Sequence, residues 1–188
     1  MPPVIRYDRQ AVLSAAFRLV RRSGLNALNA RAVAHEAGSS TQPIFRLYSG
    51  MDELKADVCS MAHQFYTDYL HTHVLASENV LLEYGIRYIL FARDEPELFK
   101  LLFMCDRSHD NQTIGDPETT RAVSGIIEQM TGYSEEKAQR MIHWLWVFTH
   151  GLAVSMATRY LSYPEDALRR MLCMAFDMVQ QRMNQAQP

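Results

Sequence analysis

Apolar residues recur along this chain at three- and four-residue intervals, and no stretch keeps the period of two that a half-buried strand needs. Val12, Ala15, Ala16, Leu19 and Val20 form the first stripe, with Asp8 placed to cap the helix and Gly24 to end it. Asn29 precedes a short apolar group, Val33, Ala34 and Ala37, which Gly38 breaks. A third short helix is expected over about Ser40–Tyr48, with Ser40 as its N-cap. After Ser49-Gly50 a long helix follows, with Leu54, Val58, Met61, Phe65 and Tyr69 expected on one face.

Beyond about residue 75 the helices lengthen. One is expected over about Asn79–Asp94, one from Pro96 to about Cys105, and one opened by Pro117 and closed by Gly132. The polar stretch 106–116 reads as a loop. Ser134 can cap a long helix to about Leu161, with Glu135 and Glu136 suiting the dipole of its first turn. Ser162-Tyr163-Pro164 divides it from a last helix over about Glu165–Asn184. The fold class is therefore all-α. A three-helix N-terminal domain occupies about residues 1–50, with a connecting helix over about 51–74. A larger helical domain occupies 75–188.

Charge changes the picture. The whole chain carries a formal −2, yet residues 1–50 hold seven arginines (Arg6, Arg9, Arg18, Arg21, Arg22, Arg31 and Arg46) against Asp8 and Glu36, a local +5. The remainder then carries −7. A basic head on an acidic body points the head toward a polyanion.

The motif inside that head is specific. Two short helices joined by a tight glycine turn make a helix-turn-helix. Here they are Asn29–Ala37 and Ser40–Tyr48 around Gly38. Small Ala34 and Ala37 permit close approach, and Ile44 and Tyr48 face the core beside Val33 and Leu54. Thr41, Gln42, Phe45 and Arg46 are then left to face outward. Pro43 falls within the first turn, where its missing N–H costs no intrahelical bond. Gln42 suits a bidentate contact to adenine, and Thr41 a base or a phosphate. Arg31, in the first turn of its helix, opposes the dipole, a cost that a phosphate contact would offset.

The run from Ala30 to Leu54, ARAVAHEAGSSTQPIFRLYSGMDEL, resembles the DNA-binding region of the TetR family of bacterial transcriptional regulators. The likeness spans about residues 7–60, with Arg31, Val33, Ala34, Ala37, Gly38, Ser40, Ile44, Tyr48 and Leu54 in register. It departs at Phe45, where the family usually has a phosphate-binding Tyr, and at Met51, where it usually has a phosphate-binding Lys. The resemblance implies DNA contacts from Arg31, Ser40, Thr41, Gln42, Pro43, Phe45 and Arg46. It implies a homodimer joined through the last two long helices, and a small-molecule effector bound in the body. The pair His150-Gly151, after Trp144 and Trp146, is similar to one C-terminal subgroup of the family.

Other chemistry adds little. Phe99, Phe103, Met104, Trp146 and His150 are the candidates for an apolar effector pocket, although core packing is the ordinary role of such side chains. His143 and His150 lie seven apart on one helix face. His71 and His73, two apart on a helix, point away from each other, so no metal site is expected. No cofactor-binding or catalytic motif is present, and an enzyme is not expected. Cys59, Cys105 and Cys173 are odd in number and widely spaced, no signal-type apolar run opens the chain, and a reducing cytoplasm is the expected location. The expected function is a ligand-responsive repressor on a palindromic operator. The alternative from another class is an all-α small-molecule-binding protein without DNA-binding activity. A helical-bundle enzyme built around His143 and His150 is a remote third.

Overall fold

The computed structural model describes residues 8–74, 79–105 and 117–185. The expected loop over 106–116 lies outside them, as do the side chains of His71 and His73. Among the described residues there are helices and no strand, as the periodicity requires.

The helices are α1 (Arg9–Ser23), α2 (Ala30–Ala37), α3 (Gln42–Leu47), α4 (Met51–Val74), α5 (Val80–Asp94), α6 (Pro96–Phe103), α7 (Pro117–Thr131), α8 (Glu135–Ala157) and α9 (Glu165–Gln185). A 3₁₀ turn over Leu25–Ala27, which the pattern does not reveal, links α1 to α2. Caps fall where side-chain chemistry puts them. The side chains of Asp8, Asn29, Asn79 and Ser134 accept hydrogen bonds from the backbone N–H groups of Ala11, Ala32, Leu82 and Lys137, each three residues on.

The chain forms two compact units. The first comprises residues 1–67 with 97–105, and the second 68–96 with 106–188. The expected boundary near residue 75 placed α6 in the body, whereas the structure groups it with the N-terminal helices. Phe103 of α6 meets Tyr66 of α4 edge-on at 5.0 Å and Phe99 at 5.3 Å, and Phe99 is fully buried.

In the first unit the α1 stripe is buried as expected, together with Phe17. On α4 the buried row differs from expectation. Leu54 and Val58 continue through Ala62 and Tyr66 rather than Met61 and Phe65, which are half-buried. A row of i+4 steps drifts across a helix differently from a mixed i+3/i+4 row, and Ala62 is small enough to be covered completely.

The second unit is built on α5 and α8, with α7 and α9 packed against them. Ile127, Ala138, Met141 and Ile142 centre one cluster, flanked by Leu81, Leu145, Phe176 and Val179. Its one strongly buried carboxylate among the described residues, Glu83, is satisfied in place. Arg87 reaches it from the next turn at 2.6 Å and Arg169 of α9 at 3.0 Å, while Glu165 pairs with Arg169 at 2.7 Å. A buried charge needs such partners, because an unpaired one is far more costly.

α8 ends in a tight reversal. Arg159 adopts φ 58°, the only positive φ outside glycine among the described residues. The N–H of Tyr160 then returns to the carbonyl of Ser155 at 3.0 Å. Tyr160 is left 82% exposed beyond it.

Candidate nucleic-acid interface

The turn between α2 and α3 is set by Gly38. At φ 68° and ψ 33° it is left-handed, and two hydrogen bonds close the reversal: Gly38 N–H to His35 O at 3.1 Å and Ser39 N–H to Ala34 O at 2.8 Å. This is the paired 6→1 and 5→2 closure that favours glycine at the reversing residue.

α3 is shorter than expected, and its cap is corrected. Thr41, not Ser40, is the N-cap residue, and no side chain caps the helix. The N–H groups of Ile44 and Phe45 both reach the Thr41 carbonyl, at 3.2 and 3.4 Å, whereas the Ser40 carbonyl accepts the Ser39 hydroxyl at 2.9 Å. A capping side chain bonds N2 or N3. Position N2 is Pro43, which has no N–H, and the N–H of N3 is already occupied. Pro43 therefore sits one position earlier than expected, still where its missing donor breaks no ladder.

Ile44 and Tyr48 anchor α3 in the core beside Val33 and Leu54, all at 2% exposure or less. Burial is the main reason the Tyr48 phenol is pushed up to about 12, so it stays neutral. With those anchors in, Gln42, Phe45 and Arg46 turn outward, and Thr41 and Pro43 are half-exposed at the leading end. Ser40 and Arg31 are also exposed. Phe45, 59% exposed, is the one large apolar side chain that this surface offers.

The arginines of the head divide into two kinds, which the charge count could not show. Arg9 binds Glu53 at 2.6 Å and Asp57 at 2.9 Å and lies over the Tyr48 ring at 4.2 Å. Arg18 and Arg22 both hold Glu36, at 3.3 and 2.8 Å, and Arg21 lies over Phe65 at 4.8 Å. Arg31 makes no hydrogen bond or ion pair among the described residues. Extending the count to residue 57 adds Lys55 against Asp52, Glu53 and Asp57, so the head falls from +5 to 8 − 5 = +3. Much of the basic excess is structural. The Glu53 carboxylate also takes the backbone N–H and the hydroxyl of Ser49, at 2.7 and 2.8 Å, which locks the entrance to α4. These bonds, the Ser49 backbone N–H first and Arg9 next, hold the carboxyl down to about 2.

The five pocket candidates divide between the units. Phe99, Phe103 and Met104 belong to the first, where Phe99 is buried and Met104 is 44% exposed. Trp146 and His150 belong to the second and lie one turn apart on α8, their rings stacked at 4.5 Å and 9°. The sequence pattern missed their partner, Tyr88 of α5, whose hydroxyl shares a 2.9 Å hydrogen bond with His150 Nδ1. Nothing local in the sequence connects residues 62 apart. His143 does not join this cluster. It is exposed and meets Trp144 edge-on. An open groove on α4 is lined by Cys59, Ser60, His63, Gln64 and Thr67. No metal-holding cluster occurs among the described residues. No helix among them is long and apolar enough to cross a membrane.

A stripe of large apolar side chains stays exposed on the second unit. Trp144 and Val147 lie on α8 at 60% and 47% exposure, and Met174 and Met178 on α9 at 53% and 52%. The two helices pack together.

Comparison with known proteins follows this division. Residues 81–178 match the family model described as tetracyclin repressor-like, C-terminal domain. A search of curated proteins finds no match. Among solved structures, a transcriptional regulator from Pseudomonas aeruginosa superposes with a TM-score of 0.70 at 15% identity, covering 94% of this chain and 93% of its own. A TetR-like transcriptional regulator from a Rhodococcus species gives 0.65 at 15% identity, over 97% and 100%. A TetR variant from Acinetobacter baumannii in complex with minocycline gives 0.59 at 14% identity, over 96% and 98%.

Proposed function

The chain belongs to the TetR family of transcriptional regulators, and on that premise we propose that it is a ligand-responsive repressor that binds a palindromic operator as a homodimer. The observation that carries this reading is the α2–α3 pair. A left-handed Gly38 and the buried anchors Ile44 and Tyr48 leave Gln42, Phe45 and Arg46 exposed and Thr41 and Pro43 half-exposed, while Arg31 and Ser40 are exposed as well, which supports these seven as the DNA-contacting set. In the proposed complex Gln42 reads a base edge in the major groove and Phe45 makes an apolar contact, of the kind a thymine methyl accepts. Arg31, Ser40 and Thr41 bind phosphates and fix the register.

The exposed stripe of Trp144, Val147, Met174 and Met178 supports a second copy as the occupant of the α8–α9 face, because apolar patches of this kind mark association surfaces. A two-fold dimer would set two recognition helices about 34 Å apart, one turn of DNA. The effector binds in the second unit, where Trp146 and His150 lie. It shifts the balance toward a dimer geometry that no longer fits this spacing, by its differential affinity for the two states.

Footprinting on genomic fragments over a salt series tests the reading. Discrete protected sites with strong salt dependence are expected. A well-folded protein that protects no site at low salt would leave only the small-molecule-binding alternative.

A further inference from the structure

The Tyr88–His150–Trp146 cluster is a polar group in an apolar place. Tyr88 is buried while His150 and Trp146 are half-buried, and the other side chains that α5 and α8 bury are mostly apolar, Ile86, Ile89, Leu90, Phe91, Ala153 and Met156 among them. Tyr88 and His150 satisfy each other through the 2.9 Å bond, and His150 lies flat against the Trp146 ring. The indole Nε1–H of Trp146 is buried and meets no acceptor among the described residues. Among the described residues it is the only buried side-chain donor or acceptor of which this is true.

Such a group needs an explanation. A buried donor without a partner is destabilising, and a phenylalanine at this position would keep the ring and the stack without that cost. The chemistry of the missing partner is restricted. An indole N–H can only donate, so its complement is an acceptor. The cluster contains no cation. Burial lowers the pKa of His150 and raises that of Tyr88, so both rings stay uncharged at neutral pH. A carboxylate here would be buried without a counter-charge, which is strongly unfavourable. A neutral oxygen would not.

We propose that Trp146, with His150 and Tyr88 holding its ring in place, is the acceptor-reading end of the effector site, and that the effector is an apolar molecule bearing a neutral carbonyl oxygen. This rests on the effector-binding reading given above and specifies the ligand class. Trp146 Nε1–H bonds the carbonyl oxygen, and the aliphatic surface of α5 and α8 receives the apolar body. Tyr88 and His150 are positioning residues, since their mutual hydrogen bond fixes the ring on which Trp146 stacks.

The chain has two tryptophans, so ¹⁵N-labelled full-length protein shows two indole N–H signals, assigned with Trp144→Phe. The probes are acetophenone, 2-acetonaphthone and decan-2-one. Each is paired with its hydrocarbon, ethylbenzene, 2-ethylnaphthalene or decane, and with its carboxylate, benzoate, 2-naphthoate or decanoate. At least one ketone is expected to bind about tenfold tighter than its hydrocarbon, the size of one buried hydrogen bond, and tighter than its carboxylate. That ketone should move the Trp146 signal downfield and leave the Trp144 signal in place. Trp146→Phe should reduce the preference to less than about twofold while thermal unfolding shows the fold retained.

Equal binding of ketone and hydrocarbon, a Trp146 signal that binding leaves unmoved, tightest binding of a carboxylate, or no binding by any of the three ketones each overturns the proposal. A Trp146→Phe protein that keeps the full preference overturns it as well. Footprinting separates this failure from failure of the regulator reading. A protein that protects its operator but shows no ketone preference overturns only the ligand class. One that shows the preference but protects no DNA overturns only the DNA-binding role.

Discussion

The two units of this protein place their polar chemistry on opposite sides of their surfaces. In the first, the core is apolar and the charge lies outside, on arginines that either brace the fold or face away from it. In the second, polar groups lie inside: Glu83 between two arginines and Ser124 are buried, and buried Tyr88 bonds half-buried His150 beside the unpaired indole Nε1–H of Trp146. Its exposed surface carries Trp144, Val147, Met174 and Met178. Phe45 is the corresponding exception in the head. A surface that meets a polyanion needs exposed donors on a rigid base. On the function proposed above, a unit that meets a copy of itself and an organic molecule needs the reverse arrangement. The same helix-packing rules serve both, and what differs is which side chains are left without partners.

The largest effect that would break this contrast is expected on the α8–α9 face. Val147→Asp puts a charge in the centre of the exposed stripe. A central interface position carries about 2–4 kcal/mol, so dimer affinity should fall roughly 30- to 700-fold. Sedimentation or light scattering should then report monomer at micromolar concentration, and operator binding should fail with it. A dimer of unchanged strength would show that this apolar stripe is not the association surface.

The DNA edge comes next. Gln42→Ala should lower discrimination at one base pair of each half-site by about 1–3 kcal/mol. Arg31→Ala should weaken all sequences alike and make the slope of log K against log salt shallower by about one unit. The two substitutions therefore separate reading from grip. An unchanged base preference after Gln42→Ala would move the reading role to Phe45 or Thr41.

A smaller effect compares two positive-φ residues that follow helices, Gly38 in the first unit and Arg159 in the second. Gly38→Ala should destabilise the head by about 1 kcal/mol or slightly more, because a Cβ is disfavoured at φ 68°. Arg159→Gly should do the opposite and stabilise the body by up to about 1 kcal/mol, by relieving the same strain. Denaturant midpoints at constant slope measure both. If Arg159→Gly lowers stability, the exposed reversal after α8 is held by contacts of the arginine side chain rather than by the backbone turn.

The smallest effect concerns acid. The Glu53 carboxyl is held at about 2, against an ordinary value near 4.5, by the Ser49 N–H and hydroxyl and by Arg9. A depressed carboxyl stabilises the fold above its unfolded pKa, and that contribution is lost as pH falls through the folded one. Between about pH 4.5 and 2 the wild type should therefore lose melting temperature more steeply than Glu53→Gln, which lacks the titrating group. Parallel curves would mean that the lock at the entrance to α4 is not what acid opens.

Much of the fold was legible in the sequence, for local reasons. Caps at Asp8, Asn29, Asn79 and Ser134 and the reversal at Gly38 depend on a side chain or a φ angle acting within four residues, and these appear in the order of letters. The stripe on α1 and the anchors Ile44 and Tyr48 follow from helical period alone. The start of α3 was displaced because Thr41 and Ser40 are both capable caps, and the choice depended on which carbonyl the chain brought to Ile44. The buried row of α4 was displaced because Ala62 reads as neutral on a helical wheel and is buried by what packs over it.

The sequence by itself therefore determined the order of helices, the caps at Asp8 and Ser134 and the glycine turn that makes the α2–α3 pair, because each is set by interactions a few residues long. Only the tertiary structure decided which arginines are spent on Glu36, Glu53 and Asp57 and which remain for a partner. Only it grouped α6 with the head, and only it brought Tyr88 to His150 across 62 residues. Pairings over that range depend on how whole helices pack, and periodicity along a single helix carries no record of which face its neighbour presents.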